Sequence, residues 1–485
     1  MKKRLIYAFC GVLTCAITLQ SCEKFLDINK NPNAAENVDP KLLFSYASTS
    51  YINLRSSGDL YIPMALGGQS ITTGGNNPTG WGIPSEEQYQ FSTFSYGNTW
   101  RAYYTSVGAN LKQAISLAES ATPKNNNAAA QCKVLLALVV YEATTVYGDV
   151  PFTEAWNTGI SYPKFDAQQT VLNGSIALID EALAQFDDAS ALKISDYDMF
   201  FKGDLAKWKR LAKSVKLRTL MTMVDKDPTK ATQIGQMVTE GGLVSSAADN
   251  FKVGYQAVTG KKNPKFAINE QYNGGRNFFF GSKYVVDFMR NLSDPRLPKF
   301  FTKPVEATDY FGIEPGADGD DKHDVRISNT LQAADAPEVI FTYQEELFYE
   351  AEIYTRGLGV GADLTKASTL YKKAVEESCK FNGVDGTTAS TFANGLPNLS
   401  TVPAPMALIN MHHWVDKMDR GLDAFTQWRR SGPEGQEIPN LSLPIGAPAG
   451  KLFRRYEYPT TNEISSNPNA PKELVKYNEK MWFDL

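Results

Sequence analysis

The chain has 485 residues, with 49 Lys+Arg against 53 Asp+Glu, a formal charge of −4, and 42% hydrophobic residues. These values describe an ordinary globular protein and exclude a disordered or fibrous one. The lack of a basic excess argues against nucleic acid as a main partner, since phosphate binding needs clustered cations. Aromatic residues are plentiful, with 7 Trp, 23 Tyr and 26 Phe. That is more than a core alone requires, so some of them are expected to line a binding surface.

Taken in chain order, the N-terminus comes first. Lys2, Lys3 and Arg4 form a positive start, followed by an apolar run from Leu5 to Leu19. The run is shorter than the roughly 20 residues a membrane-spanning helix needs, and it fits the apolar region of a signal peptide. Leu19-Gln20-Ser21-Cys22 resembles a bacterial lipobox, with an aliphatic residue at −3, a small one at −1, and then cysteine. The expectation is a signal peptide over 1–21, cleavage before Cys22, and lipid attachment at the Cys22 thiol. The plainer alternative is a signal peptide cut elsewhere, with Cys22 an ordinary residue. Residues 22–39, rich in asparagine, read as a lipidated tether, and 40–485 as a single domain. Cys10 and Cys15 would leave with the signal peptide. Only Cys132 and Cys379 then remain in the body, too few for a disulfide framework or a metal site. Both sit in helical patterns and read as buried thiols, with a disulfide between them left open.

Apolar residues spaced at i, i+3, i+4 and i+7 predict helices near 40–56, 98–120, 126–147, 167–187, 204–225, 338–356, 363–381 and 403–429. Strand signals are few and short, chiefly Phe251 to Val258. The predicted class is mainly α. Ala351 and Tyr354, followed by Ala367, Tyr371 and Ala374, have the small-and-large spacing of a tetratricopeptide-like helix pair. Gln131 to Tyr147 and Val171 to Phe186 make a second, looser pair. A generic antiparallel helix hairpin would show similar spacing. Tyr147-Gly148-Asp149-Val150-Pro151 reads as a helix stop, because glycine admits a left-handed cap and proline cannot continue the ladder. Arg429 and Arg430 suit the negative end of their helix.

Three stretches lack helical periodicity: 67–97, 259–336 and 432–485. Irregular stretches this long usually bind something or pack over the core. Sugars offer apolar C–H faces to aromatic rings and hydroxyls to amides and charged groups. On that chemistry Asn76, Asn77, Trp81 and Tyr89 form one candidate group in the first stretch. Tyr272, Asn273 and Arg276 form a second, and Phe311 stands apart as a third. The competing reading for each aromatic is that it simply covers the helical core.

Signals for catalysis are thin. His412 and His413 are adjacent, so a helix points them about 100° apart and away from a shared metal. His323 stands alone. The acidic pairs Glu345-Glu346 and Asp320-Asp321 carry no motif that would set two carboxylates across a sugar. Asp318 to Asp324 is partly Ca²⁺-like, but Lys322 falls where a ligand oxygen is wanted, and a solvated acidic loop is the preferred reading. No catalytic residue, metal or cofactor is predicted.

Several blocks recur in a familiar order. They are the lipobox with Phe25-Leu26-Asp27-Ile28-Asn29; Val146-Tyr147-Gly148-Asp149-Val150-Pro151-Phe152; Lys207-Trp208-Lys209-Arg210-Leu211-Ala212; Asp294-Pro295-Arg296-Leu297; Glu345-Glu346-Leu347-Phe348-Tyr349-Glu350-Ala351; Trp428-Arg429-Arg430-Ser431-Gly432; and Arg454-Arg455-Tyr456-Glu457-Tyr458-Pro459. Across nearly the whole chain this order resembles the SusD/RagB family of Bacteroidetes outer-membrane lipoproteins. The resemblance implies a tetratricopeptide-repeat-like helical superhelix core with long loop insertions, and ligand-binding insertions near 67–97 and 259–336. It also implies a non-catalytic, cell-surface nutrient-binding role at the outer membrane. In that role the protein captures oligosaccharide, or a peptide, and acts as a lid over a SusC-like TonB-dependent transporter. The alternative from another class is a helical-repeat adaptor lipoprotein that binds a protein and no nutrient. Against it stands the amount of chain spent on long insertions, since repeat adaptors keep their connections short.

Overall fold

In a computed structural model, the structure describes residues 38–75, 86–460 and 463–485. Residues Pro40–Leu485 form one compact unit. The predicted lipid-attachment residue, Cys22, lies outside the described residues.

The helical core begins with α1 (Pro40–Ser56), which buries Phe44, Ala47, Tyr51 and Leu54, one face of a helix. A short α2 (Tyr61–Gly67) leads to strand β1 (Ile71–Thr72). Next come α3 (Thr93–Arg101) and α4 (Asn110–Ser120), joined without a break by a wider π-helical segment, Ala102–Ala109. Trp156 explains the widening. Its indole N–H donates to the Tyr104 carbonyl at 2.7 Å and so competes for an acceptor of the helical ladder. Gly108 leaves room for that indole, which a β-carbon would strike.

Helix α5 (Asn126–Tyr147) is the axis of the core. It is long and apolar enough to cross a membrane, yet it is wholly buried inside the protein. Such a helix is hydrophobic all round because neighbours cover every side. It packs against α4 and against α6 (Gln168–Gln185), which in turn meets α7 (Leu205–Met223). Helix α5 stops at Gly148, whose φ of +82° suits glycine and whose N–H donates to Thr144 O at 2.8 Å. A β-carbon there would sit 2.7 Å from Arg455 Nη1.

After α8 (Lys230–Glu240) the chain forms strand β2 (Phe251–Val253), α9 (Pro264–Asn273), β3 (Phe280–Gly281), α10 (Lys283–Asn291) and a single turn α11 (Leu297–Phe300). Strands β4 (Phe301–Thr302), β5 (Arg326–Ile327) and β6 (Glu338–Phe341) follow. The remaining helices are α12 (Tyr343–Arg356), α13 (Leu364–Phe381), α14 (Gly386–Gly395), α15 (Pro405–Asp416) and α16 (Gly421–Arg429). The strands form a four-stranded sheet ordered β1-β3-β5-β4 and a pair β2-β6.

The protein is mainly α, and both predicted helix pairs form, α5 with α6 and α12 with α13. In the second pair Ala351, Ala367, Tyr371 and Ala374 are all fully buried and share a separate cluster with Leu347 and Phe348. Three expectations are corrected. Residues 338–341 form strand β6, paired with β2, before the helix starts at Tyr343. The single helix expected over 403–429 is two, broken at 417–420, where Lys417 and Arg420 turn into a buried ion network. The stretch 259–336 is not wholly irregular but carries α9, α10 and α11. Cys132 and Cys379 are buried and free. The irregular segment 432–485 packs over the core through buried Phe453, Tyr456, Met481 and Phe483.

Charged side chains knit these elements from within. Arg55 of α1 pairs with Glu142 of α5, with Glu338 of β6 at 3.1 Å and with Asp423 of α16 at 2.6 Å. Glu345 of α12 takes Arg218 at 2.9 Å, Lys417 at 3.0 Å and Arg420 at 2.8 Å. Burial alone would raise the pKa of Glu345, but these three cations hold it well below its ordinary value of 4.5. Its ion pairs therefore contribute stability in full above pH 4.5 and lose it as pH falls toward the depressed folded value. Replacing Glu345 by Gln leaves three buried cations short of charge. We expect a loss of about 3–5 kcal/mol in urea unfolding at pH 7, with a smaller difference from wild type as the medium is acidified below pH 4.

Candidate functional site

The small sheet places the two candidate loop regions side by side. Ile71 and Thr72 of β1 pair with Gly281 and Phe280 of β3, and Phe280 pairs with Arg326 of β5. Beyond the sheet Gly319 N–H donates to Gly74 O at 2.7 Å, so the first loop meets the acidic loop directly. Bridges from Ser282 to Ile313 and from Phe311 to Asp324 carry the connection outward. On the return of the first loop, buried Glu87 accepts hydrogen bonds from the Thr72 and Thr73 hydroxyls and from Thr73 N–H at 3.1 Å.

Arg276 stands at the centre of this face. Its guanidinium donates two parallel hydrogen bonds to Asp321, at 3.0 and 2.9 Å. Asp321 also accepts from Arg326 Nε at 2.9 Å and Nη2 at 2.7 Å. Burial opposes ionisation of Asp321, but the hydrogen bonds from Arg326 and Arg276 hold its carboxyl below its ordinary value. Arg326 is anchored in turn. It donates to Asn277 O and Phe278 O, and its guanidinium lies 3.8 Å from the centroid of the Phe280 ring. The side chains of Arg276 and Asp321 are each about half exposed. With Asn277, Thr302 and Asp324 they line a recess of about 100 Å³. Such a set presents fixed donors and acceptors to neighbouring hydroxyls.

The other candidates separate. Phe311 is 38% exposed, with Arg290 over its ring at 5.3 Å, and is open to a ligand. The Asn273 amide instead closes its own turn by donating to Arg276 O and Asn277 O. Tyr272 belongs to α9. Asn76, Asn77 and Trp81 lie outside the described residues. Tyr89 is corrected: it is 3% exposed, packs against Phe91, Phe453 and Tyr477, and takes a hydrogen bond from Gln69 Nε2 at 3.1 Å. Its ring covers the core, and no face of it is free as a platform. His412 and His413 are likewise fully buried, and burial pushes His412 down to about 3.

Sequence reasoning missed Asp321 as a site residue, and with it Arg326, Asn277 and Thr302. No local pattern marks them, because they meet only where β4 pairs with β5. Arg326, Ile327 and Asn329 line the small recess, whereas Ser328 and Thr330 line a separate cavity of about 720 Å³.

One family model matches most of the chain, and solved structures share its fold. The SusD-like_2 family, described as starch-binding and associating with the outer membrane, matches residues 32–459. No curated protein matches the chain. Among solved structures, a protein named as chitin-binding superposes with a TM-score of 0.76 at 21% identity, covering 92% of this chain and 100% of its own. A SusD homologue from Parabacteroides distasonis gives 0.76 at 18% identity, covering 92% and 97%. A SusD/RagB family protein from Bacteroides thetaiotaomicron gives 0.72 at 19% identity, covering 92% and 99%.

Two outcomes test this geometry. Tyr89→Ala is expected to lower unfolding stability by about 3–5 kcal/mol, the cost of emptying an aromatic site in a core. A loss of ligand binding without loss of stability would return Tyr89 to the site. The second concerns Glu86, which is 4% exposed and whose pKa burial raises to about 7. A raised acid favours the folded state at low pH and loses that advantage as pH rises through the folded value. Glu86→Gln should therefore match wild type near pH 4.5 and be more stable by about 1–3 kcal/mol at pH 8, read as thermal midpoints across pH.

Proposed function

The chain belongs to the SusD-like family, and on that premise we propose that it is an outer-membrane lipoprotein that captures oligosaccharide at the cell surface. It delivers the bound glycan to a SusC-like TonB-dependent transporter and breaks no bond. The family match over residues 32–459, with its starch-binding description, carries the reading. The chitin-binding name of a similar structure supports a glycan over a peptide. The geometry is compatible: the Arg276–Asp321 pair offers a fixed set of donors and acceptors, and Phe311 offers a half-open ring beside it. Binding of this kind needs shape and hydrogen bonds, with no nucleophile or general acid. The N-terminal lipobox at Cys22 supplies the anchor.

Three experiments test the proposal. Calorimetric titration of the full-length protein in mild detergent should show binding to neutral oligosaccharides and none to oligopeptides. Arg276→Ala should weaken that binding about tenfold, the effect of losing one or two charge-assisted hydrogen bonds, with little change in melting temperature. Cys22→Ser should move the protein from the membrane pellet to the soluble fraction. Equimolar co-purification with a large β-barrel protein is expected from native membranes. Recovery of a monomer alone would count against the delivery step, and binding to oligopeptides only would overturn the glycan assignment.

A further inference from the structure

The cavity of about 720 Å³ beside β4 and β5, lined in part by Phe300, Ser328 and Thr330, has a composition of its own. Its size falls within the roughly 300–1,000 Å³ of pockets that hold small ligands. Two of its cations are already neutralised. Arg420 is paired with Asp416 at 2.8 Å and with Glu345, and Lys265 is paired with Asp419 at 3.0 Å. The rim differs. Lys252 and Lys299 line the cavity, are exposed, and form no ion pair among the described residues; the only other charge lining it is exposed Asp335. The unbalanced charge is therefore positive. Lys252 Nζ sits 5.3 Å from the centroid of the half-buried Phe381 ring, which also lines the cavity.

Gln344 adds an independent sign. It is the second residue of the 14-residue helix α12, in the first turn, where the N–H groups of Tyr343 and Glu345 are already taken by Asn250 Oδ1 and Thr342 Oγ1. Its side chain lines the cavity, the residue is 2% exposed, and its amide makes no hydrogen bond among the described residues. An amide open to the cavity is a donor and acceptor for a ligand, and the positive end of a helix favours an anion. An unpaired amide at a helix N-terminus, two unpaired ammonium groups and an aromatic ring in one cavity describe a ligand with a carboxylate, a ring face and hydroxyls. Ser328, Thr330 and Asn382 supply further polar partners.

We propose that this cavity is a second carbohydrate site, separate from the Arg276 face, that takes an acidic sugar residue such as a hexuronate. Lys252 and Lys299 meet its carboxylate, Gln344 hydrogen-bonds it, and Phe381 packs against a ring face. The inference rests on the glycan-binding reading and deepens it, since the protein then carries a recess for neutral hydroxyls and a cavity for an acidic ring.

The test titrates the full-length protein in mild detergent with di- and trigalacturonate, beside neutral galactan oligomers of the same lengths. Trigalacturonate is expected to bind and to weaken as salt is raised. Lys252→Gln with Lys299→Gln, both exposed positions, should raise its Kd roughly fivefold or more, and Gln344→Leu about tenfold. Arg276→Ala should leave it unchanged. Binding of neutral oligomers with no binding of galacturonates overturns the cavity assignment and leaves the family reading standing. Silence toward every oligosaccharide overturns both. Galacturonate binding indifferent to the lysine and glutamine changes, or replaced by binding of an Asp/Glu-rich oligopeptide with the same lysine dependence, overturns the acidic-sugar site.

Discussion

The buried ion network around Arg55, Arg218 and Glu345 is the constraint on which the rest of this structure depends. It joins residues from α1, α5, α7, β6, α12, the turn before α16 and α16 itself, positions 55 to 423 of the chain. Each of these charges would be costly alone in a dry interior, and hydrophobic residues of the same shape could be as stable. What such a network adds is specificity of packing, since an arrangement that separates Arg55, Arg218 or Glu345 from its partners leaves a buried charge uncompensated. The balance shows at Lys417. Burial pushes it down to about 8, and contact with Glu345 opposes that fall.

The network also reaches the larger cavity. Arg420 and Lys265 belong to it and stand in the cavity wall, already neutralised by Asp416 and Asp419. The unpaired cations, Lys252 and Lys299, stand at the rim and take no part in the buried network among the described residues. The segments around β4 and β5 contribute to both hollows, Thr302 and Arg326 to the small recess and Phe300 and Ser328 to the larger cavity.

Arginine also holds the long irregular C-terminal segment. Arg454 pairs with Asp484 at 3.0 Å and with Glu437 at 2.5 Å. Arg429 donates to Thr145 O and Arg454 O at 2.8 and 2.7 Å. Arg429 was expected to favour a helix C-terminus by charge. Its observed role is to satisfy carbonyls from three separate parts of the chain, counting Phe425, a use suited to its fork of donors. A segment without helix or strand among its described residues is ordered because its backbone groups find such partners.

Residue patterns by themselves determined the helical class, the start and end of α5 and the α12–α13 pair. These are local matters: periodicity, a glycine stop and small residues at fixed spacing. The family also followed from short blocks in a fixed order. Tertiary structure alone decided which aromatics and amides are free. Tyr89 and Phe311 look alike in sequence, but Phe453 and Tyr477 pack against Tyr89 and bury it, whereas Phe311 stays 38% exposed among the described residues. Asp321 gains its place only because Arg276 and Arg326, 45 and 5 residues away, arrive at the same carboxylate. The free amide of Gln344 is equally silent in sequence, because a side chain's lack of partners depends on every element that fails to reach it.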